Sequence, residues 1–146
     1  YLDTSALVKR YFEEPYSNEV AEQWQAADGI ATASVAYAEA LASFHRKGRE
    51  ADLDAGLVDA ISDNLRSDWP TFIRIQVTDE LNTYIDRALA AHPLRGFDAI
   101  HLASAMLLHE KFTESLLFIC FDRRLTQAAQ SEGIQTAPIS WSTGPA

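Results

Sequence analysis

Short apolar runs alternate with helical stretches along this chain, and that alternation restricts its fold more than any other feature. The run Leu116, Leu117, Phe118, Ile119, Cys120, Phe121 ends abruptly in Asp122. The chain opens the same way, with Tyr1 and Leu2 just before Asp3. "IATAS" reads as a strand, as does "TFIRIQV", where Ile73, Ile75 and Val77 alternate with Arg74 and Gln76, and "IQTAPI" reads as a last one. Helical periodicity fills the gaps. One helix runs from about Ser5, with Leu7 and Tyr11 a turn apart, and stops before Pro15. A second over 17–27 places Val20, Trp24 and Ala27 on one face and is broken by Gly29. Ser34 is a candidate N-cap for a third, whose apolar side is Val35, Ala38, Leu41 and Ala42 and whose end is Gly48. Leu53, Leu57, Ile61 and Leu65 mark a fourth. Thr78 caps a helix with Leu81, Ile85 and Leu89, and Pro93 and Gly96 punctuate the turn into one over 97–110. Leu125, Ala128 and Ala129 belong to a short helix stopped by Gly133. Strands alternating with helices imply an α/β chain with a mostly parallel sheet covered on both faces. Sites in such sheets lie beyond the carboxyl ends of the strands, where Asp3 and Asp122 fall.

A length of 146 residues suits one domain, 1–146, with no internal repeat or linker. No apolar run approaches the roughly 20 residues of a membrane span, and no signal peptide is visible. The absence of an initiator Met leads to the expectation that the first strand is clipped. The single cysteine, Cys120, precludes an internal disulfide framework and fits a reducing, cytoplasmic setting. Its apolar neighbours make it a core thiol rather than a nucleophile. The net charge of −9 argues against a general nucleic-acid binder. It does not exclude one, because a metal-binding acid cluster adds negative charge that an ion cancels, and a basic patch can sit on an acidic whole.

Two further acids stand out. Glu39 lies in "SVAYAEALASF", among small and apolar residues with no other charge nearby. Asp98 lies in "GFDAIHLASAM", in the first turn of a helix built for burial. Each of the four acids has an ordinary reading: Asp3 and Asp122 as N-caps, Asp98 as a complement to the helix dipole, Glu39 as a solvated helix residue. Together they point elsewhere. Four carboxylates converging from separate elements repel and raise one another's pKa, and a hard divalent cation such as Mg²⁺ or Mn²⁺ removes that penalty. Such an ion activates water and neutralises phosphoryl charge, which is phosphodiesterase chemistry.

Other chemistries find little support. His45, His92, His101 and His109 are scattered, without HExxH, and there is no Walker A loop, GxGxxG or GxSxG. His101, three residues after Asp98, is placed to hydrogen-bond it as a packed or supporting histidine. Trp24, Trp69 and Trp141 are too dispersed for a stacking platform and read as core.

In their order, Asp3, Glu39, Asp98 and Asp122 make the chain resemble a PIN-domain ribonuclease, specifically the VapC-like toxins of toxin–antitoxin pairs. The motifs that carry the resemblance are "YLDTSALVKRY", "AEAL", "LRGFDAIHLASA" and "FDRRLTQAA", and the likeness runs from Tyr1 to about Ile139. It implies a three-layer α/β/α sandwich with a central parallel sheet, and Mg²⁺- or Mn²⁺-dependent endonucleolytic cleavage of RNA by metal-activated water. On it, Asp3 and Asp98 are the principal metal ligands, Glu39 and Asp122 complete the acidic pocket, and Ser5 bonds a carboxylate or a bound water, with N-capping equally open. It further implies a cognate antitoxin protein over the acidic pocket and a homodimer. The face bearing Leu53, Leu57, Ile61 and Leu65 is a candidate for the dimer surface, with core packing the alternative. Arg46, Lys47 and Arg49, Lys9 and Arg10, and Arg123 and Arg124 are candidate phosphate contacts. Two other readings stay open: a PIN-like module that binds RNA or protein without cutting, and a metal-dependent phosphohydrolase of small substrates.

Overall fold

The computed structural model describes residues 1–138; Trp141 and the end of the last expected strand lie outside the described residues. Four short strands are paired in parallel. β1 (Ala31–Ala33) runs beside β2 (Ile73–Ile75), Ala31 opposite Ile73, and β3 (Leu117–Ile119) beside β4 (Gln135–Ala137), Leu117 opposite Gln135. The first three residues knit the two pairs together. Leu2 bridges Ile119 in parallel, with Ile119 N–H donating to Tyr1 O at 2.9 Å and Asp3 N–H to Ile119 O at 3.2 Å. On the other side Leu2 N–H donates to Ala31 O at 2.9 Å, and the buried Thr32 hydroxyl to Leu2 O at 2.7 Å. The spatial order is thus β2, β1, residues 1–3, β3, β4.

Strand side chains alternate between faces, and the core divides accordingly. Tyr1, Ala31, Ala33 and Phe118 join one cluster with α5 (Asp79–Ala91), α6 (Gly96–Lys111) and α7 (Arg123–Ser131). Leu2, Ile119 and Ala137 join the other with α1 (Thr4–Tyr11), α3 (Ala36–Glu50) and α4 (Ala55–Asp68), and α2 (Ser17–Ala26) packs on α1. Helices on both faces of a parallel sheet make the expected three-layer α/β/α sandwich. Phe44 anchors one core and Phe118 the other, both fully buried, each worth about 1.5–3 kcal/mol of transfer free energy.

Several local expectations are corrected. The buried face of α3 is Ala36, Ala40, Ser43, Phe44 and Gly48, not the stripe with Val35, Ala38 and Ala42. The helix runs through Gly48 to Glu50 because the bare Cα admits α4: a Cβ at Gly48 would stand 2.5 Å from Val58 Cγ2. On α4 the buried residues are Val58, Ser62 and Leu65. Leu53 and Ile61 are half-buried against the core, and Leu57 alone of the expected stripe is exposed. Most of that face is therefore core and not a free surface for a second copy. Ser34 does not cap α3, whose start carries no side-chain cap bond. β2 keeps only three of the seven expected strand residues, and Ile73 is 48% exposed, as on a sheet edge. Thr78 and Gly133 act as expected: the Thr78 hydroxyl accepts from Leu81 N–H at 3.3 Å, and Gly133 ends α7 at φ +78°. No helix among the described residues is long and apolar enough to cross a membrane.

Candidate active site

All four acids stand at the carboxyl-terminal side of the sheet. Asp3 follows the bridging Leu2, Glu39 is in the first turn of α3 after β1, Asp98 is in the first turn of α6, and Asp122 follows β3. A cavity of about 680 Å³ between Trp24, Ile73, Leu108 and Phe112 opens at the other end of the strands, and none of the four acids lines it.

Asp3 is buried and rigidly held. Its Oδ1 accepts from Ser5 Oγ at 2.7 Å and from Ala6 N–H at 3.0 Å, so Asp3 and not Ser5 caps α1. Ser5 in turn accepts from Phe121 N–H at 2.9 Å, which ties the start of α1 to the end of β3. Among the described residues, the other oxygen of Asp3 receives only the weak Cys120 thiol at 3.3 Å. Burial raises the Asp3 pKa, with the charge of His101 and the Ser5 bond opposing it. Cys120 is the expected core thiol: burial and the neighbouring Asp3 push it far above the usual range, so no thiolate forms.

Glu39 sits in a network the sequence did not display. Its Oε1 accepts from Thr4 Oγ1 at 2.7 Å and from His101 Nε2 at 2.8 Å. Nε2 also lies 3.1 Å from Thr4 Oγ1, and Nδ1 lies 2.9 Å from the Tyr1 hydroxyl. A carboxylate only accepts, so Nε2 carries a hydrogen; in the neutral ring Nδ1 then takes the Tyr1 proton. His101 is buried and serves Glu39, where the sequence placed it against Asp98. Burial alone would raise the Glu39 pKa, but the bonds from His101 and Thr4 outweigh it and keep the group anionic.

Asp98 is half-buried and has no hydrogen bond or ion pair to its carboxylate among the described residues. Burial raises its pKa, and the charges of Asp122, Asp3 and Glu39 raise it further. The three other acids are therefore near enough to act on Asp98 electrostatically. Asp122 is exposed and caps α7, its Oδ1 accepting from Leu125 N–H at 3.0 Å. The convergence stops short of a finished ligand shell: no three acid, histidine or cysteine side chains among the described residues already stand as a metal-holding group. The donors nevertheless fit a hard divalent cation. They are all carboxylate oxygens, one is unpartnered and repelled by its neighbours, and no thiolate or free imidazole competes.

The candidate cations divide. Lys9 and Lys47 both bond Glu14, at 2.9 and 2.6 Å. Arg46 leans on Glu50 at 3.9 Å along α3, and Arg10 lies over the Trp24 ring, 5.1 Å from its centroid. Arg49, Arg123 and Arg124 are exposed, the last two beside Asp122. Arg95, exposed at the start of α6 and three residues before Asp98, was missed by the sequence reading; a cation ahead of an acidic helix start was its only signal. Trp24 and Trp69 pack with Phe72 as core aromatics.

A profile of the PIN domain matches residues 1–130. Two proteins of Mycobacterium tuberculosis, Ribonuclease VapC45 of strain CDC 1551 and Ribonuclease VapC49 of strain H37Rv, are each 32% identical to this chain over 139 residues, which is 94% of this chain and 94% of each relative.

Proposed function

The chain belongs to the PIN-domain family, and on that premise we propose the reaction it performs and the residues that perform it. It is an endoribonuclease of the VapC type, the toxin of a toxin–antitoxin system, and it depends on a divalent metal. The ion is Mg²⁺ or Mn²⁺, held by Asp3 and Asp98, with Glu39 and Asp122 completing the pocket. Bound there, it supplies a nucleophile from water at neutral pH and offsets charge on the scissile phosphate.

The protein's own groups do the positioning. Ser5 fixes one oxygen of Asp3 at 2.7 Å, and the other, which receives only the weak Cys120 thiol among the described residues, would be the one to hold the ion. Glu39 is held by one oxygen, Oε1, and its second would be left to the pocket, for the ion or a water on it. Asp122 is held by its cap on α7, where its Oδ1 accepts from Leu125 N–H at 3.0 Å. Arg95, Arg123 and Arg124 receive the phosphate backbone, which brings RNA to a chain of net charge −9. The antitoxin covers the acidic pocket with a cation of its own, the toxin pairs with a second copy of itself, and both act in the cytoplasm.

The observation that carries this reading is the gathering of Asp3, Glu39, Asp98 and Asp122 at the carboxyl-terminal side of the sheet, where Asp98 has no hydrogen bond or ion pair among the described residues. Asp98→Asn keeps the shape and removes the charge. Incubation of wild type and variant with RNA, with and without EDTA, is expected to give metal-dependent fragments from wild type alone. Equal cleavage by the variant would remove Asp98 from the site. Cleavage of small phosphate esters in place of RNA would make the chain a phosphohydrolase, and RNA binding without cleavage a non-catalytic module.

A further inference from the structure

Tyr1 carries a hydroxyl in a place where packing alone would be served by Phe. Its ring lies in the core between the sheet and α6, stacked on Phe118 with centroids 5.3 Å apart and planes 18° from parallel. Its backbone belongs to the sheet: the nitrogen donates to Leu117 O at 2.7 Å and the carbonyl accepts from Ile119 N–H at 2.9 Å. The sheet and the stack therefore fix the ring, and with it the hydroxyl at its tip. That hydroxyl is buried, which costs free energy unless it is bonded. It stands 2.9 Å from His101 Nδ1, the two rings edge to face at 6.0 Å and 81°. Ser104 on α6 and the Ala33 backbone on β1 also act on it.

The imidazole depends on that contact. Its χ2 torsion is broad and roughly two-fold. Half a turn about it exchanges each nitrogen with a carbon while the shape hardly changes. Packing therefore does not choose between the two settings, and hydrogen bonds must. On one side Nε2 meets Glu39 Oε1 at 2.8 Å. Thr4 gives its hydrogen to the same oxygen at 2.7 Å, so its 3.1 Å contact with Nε2 brings the ring no donor. On the other side Tyr1 alone meets Nδ1 among the described residues. The carboxylate only accepts, so Nε2 carries a hydrogen and Nδ1 of the neutral ring accepts from Tyr1. Bonds at both nitrogens hold the ring against rotation, where one bond would be a pivot. The ring and Thr4 between them hold Glu39 Oε1, so the setting of the ring decides how that carboxylate is turned.

We propose that the Tyr1 hydroxyl is a positioning group for the cleavage reaction: it holds the His101 ring in the setting that presents Nε2–H to Glu39, and through that ring it holds the Glu39 carboxylate. This rests on the ribonuclease reading above. Tyr1 touches neither the ion nor the RNA and acts only through His101. Supporting partners of this kind affect a metal site strongly because they orient the groups in direct contact with it.

The test has two arms. In the first, steady-state RNA cleavage is compared for wild type, Tyr1→Phe and Ser62→Ala, with circular dichroism to confirm folding. Tyr1→Phe keeps the ring and its stack and removes the hydroxyl. Ser62 is buried on α4 in the opposite core and donates to Val58 O at 2.8 Å, so Ser62→Ala is the control for loss of a buried hydroxyl. Tyr1→Phe is expected to lower kcat about tenfold with KM little changed, and Ser62→Ala to change thermal stability alone. In the second arm, long-range ¹H–¹⁵N spectra of the imidazoles are recorded in EDTA, with the His101 signals identified by their loss in His101→Gln. Wild type is expected to show a protonated Nε2 and an Nδ1 shifted as a hydrogen-bond acceptor, and Tyr1→Phe an Nδ1 moved to the unbonded position. An unbonded Nδ1 in wild type overturns the proposal without any variant. So does wild-type kcat in folded Tyr1→Phe, a loss of kcat no larger than that of Ser62→Ala, or a loss with the His101 signals unmoved. Absence of metal-dependent cleavage by wild type would overturn the ribonuclease reading, and the spectra would still decide whether Tyr1 holds the ring.

Discussion

The imidazole Nε2 of His101 lies 2.8 Å from Glu39 Oε1, joining the middle of α6 to the first turn of α3. The ring is buried, and its other nitrogen meets the Tyr1 hydroxyl at 2.9 Å. On the proposed function His101 is a positioning residue: it fixes one Glu39 oxygen and, with Thr4, keeps the carboxylate anionic. Loss of a group that orients a metal-site carboxylate typically costs 10–100-fold in activity or metal affinity. His101→Ala is expected to lower the cleavage rate by roughly that factor and to melt earlier, because a fully enclosed ring is lost and a cavity is left in its place. Thr4→Val keeps the volume and removes one bond to Glu39, so its effect on the rate should be smaller and its effect on melting slight. A folded His101→Ala protein with wild-type rate and wild-type metal dependence would show that Glu39 needs no support.

Asp98 gives a second expectation, which trades stability against function. Four carboxylates near one another repel, so removing one charge relieves the metal-free protein. Asp98→Asn should therefore melt at or above the wild-type temperature in EDTA. A metal at about 100 times its Kd stabilises the native state by about 2.7 kcal/mol, which corresponds to several degrees in a chain of this size. Wild type should gain that shift with Mn²⁺, and Asp98→Asn should lose most of it. Identical Mn²⁺ shifts in thermal melts of the two proteins would place the ion elsewhere.

Much of this candidate site was legible in the sequence because a carboxylate directly after an apolar run is conspicuous, as at Asp3 and Asp122. An acid among small residues is equally so, as at Glu39. The supporting network was not legible: Thr4 and Glu39 are 35 residues apart and His101 and Glu39 are 62 apart, and nothing local indicates such pairings. The layers followed from alternation, but the buried face of α3 did not. That helix carries alanines all round, and alanine marks a core face weakly; the positions that decide its orientation are Phe44, which is fully buried, and Gly48, which lets Val58 approach. On α4 the apolar residues Leu57 and Val58 are adjacent, and only contact with α3 selects Val58 for burial.

Glu14 supplies a pH test away from the acids. Burial would raise its pKa, but the bonds from Lys47 and Lys9 outweigh burial and lower it. A carboxylate depressed in the folded state contributes stability above its unfolded pKa and loses that contribution as pH falls through the folded value. Wild type should therefore exceed Glu14→Gln in stability at neutral pH, by about 1–2 kcal/mol for two charged hydrogen bonds on a partly buried group. The gap should narrow once pH drops below about 4.3, the ordinary glutamate value, and close below the folded one. Thermal melts of both proteins from neutral to strongly acid pH read this directly. A gap that stays constant with pH would mean that Glu14 acts by packing and not by charge.

Gly48 yields the sharpest packing test. Replacing an interior helix glycine by alanine ordinarily stabilises by about 1 kcal/mol. Here the new methyl would stand 2.5 Å from Val58 Cγ2, and Val58 is buried and β-branched, so it has little freedom to rotate away. Overpacking of this kind costs about 1–3 kcal/mol, which exceeds the propensity gain, so Gly48→Ala is expected to be net destabilising by roughly 1 kcal/mol. Val58→Ala alone also destabilises, by opening a cavity between α3 and α4. Combined, the two should compensate, since the methyl added at position 48 occupies space vacated at 58. Urea unfolding of the four proteins gives the coupling energy. A favourable coupling of about 1 kcal/mol or more would establish that glycine at this position is required by the helix–helix contact, and strict additivity would refute it.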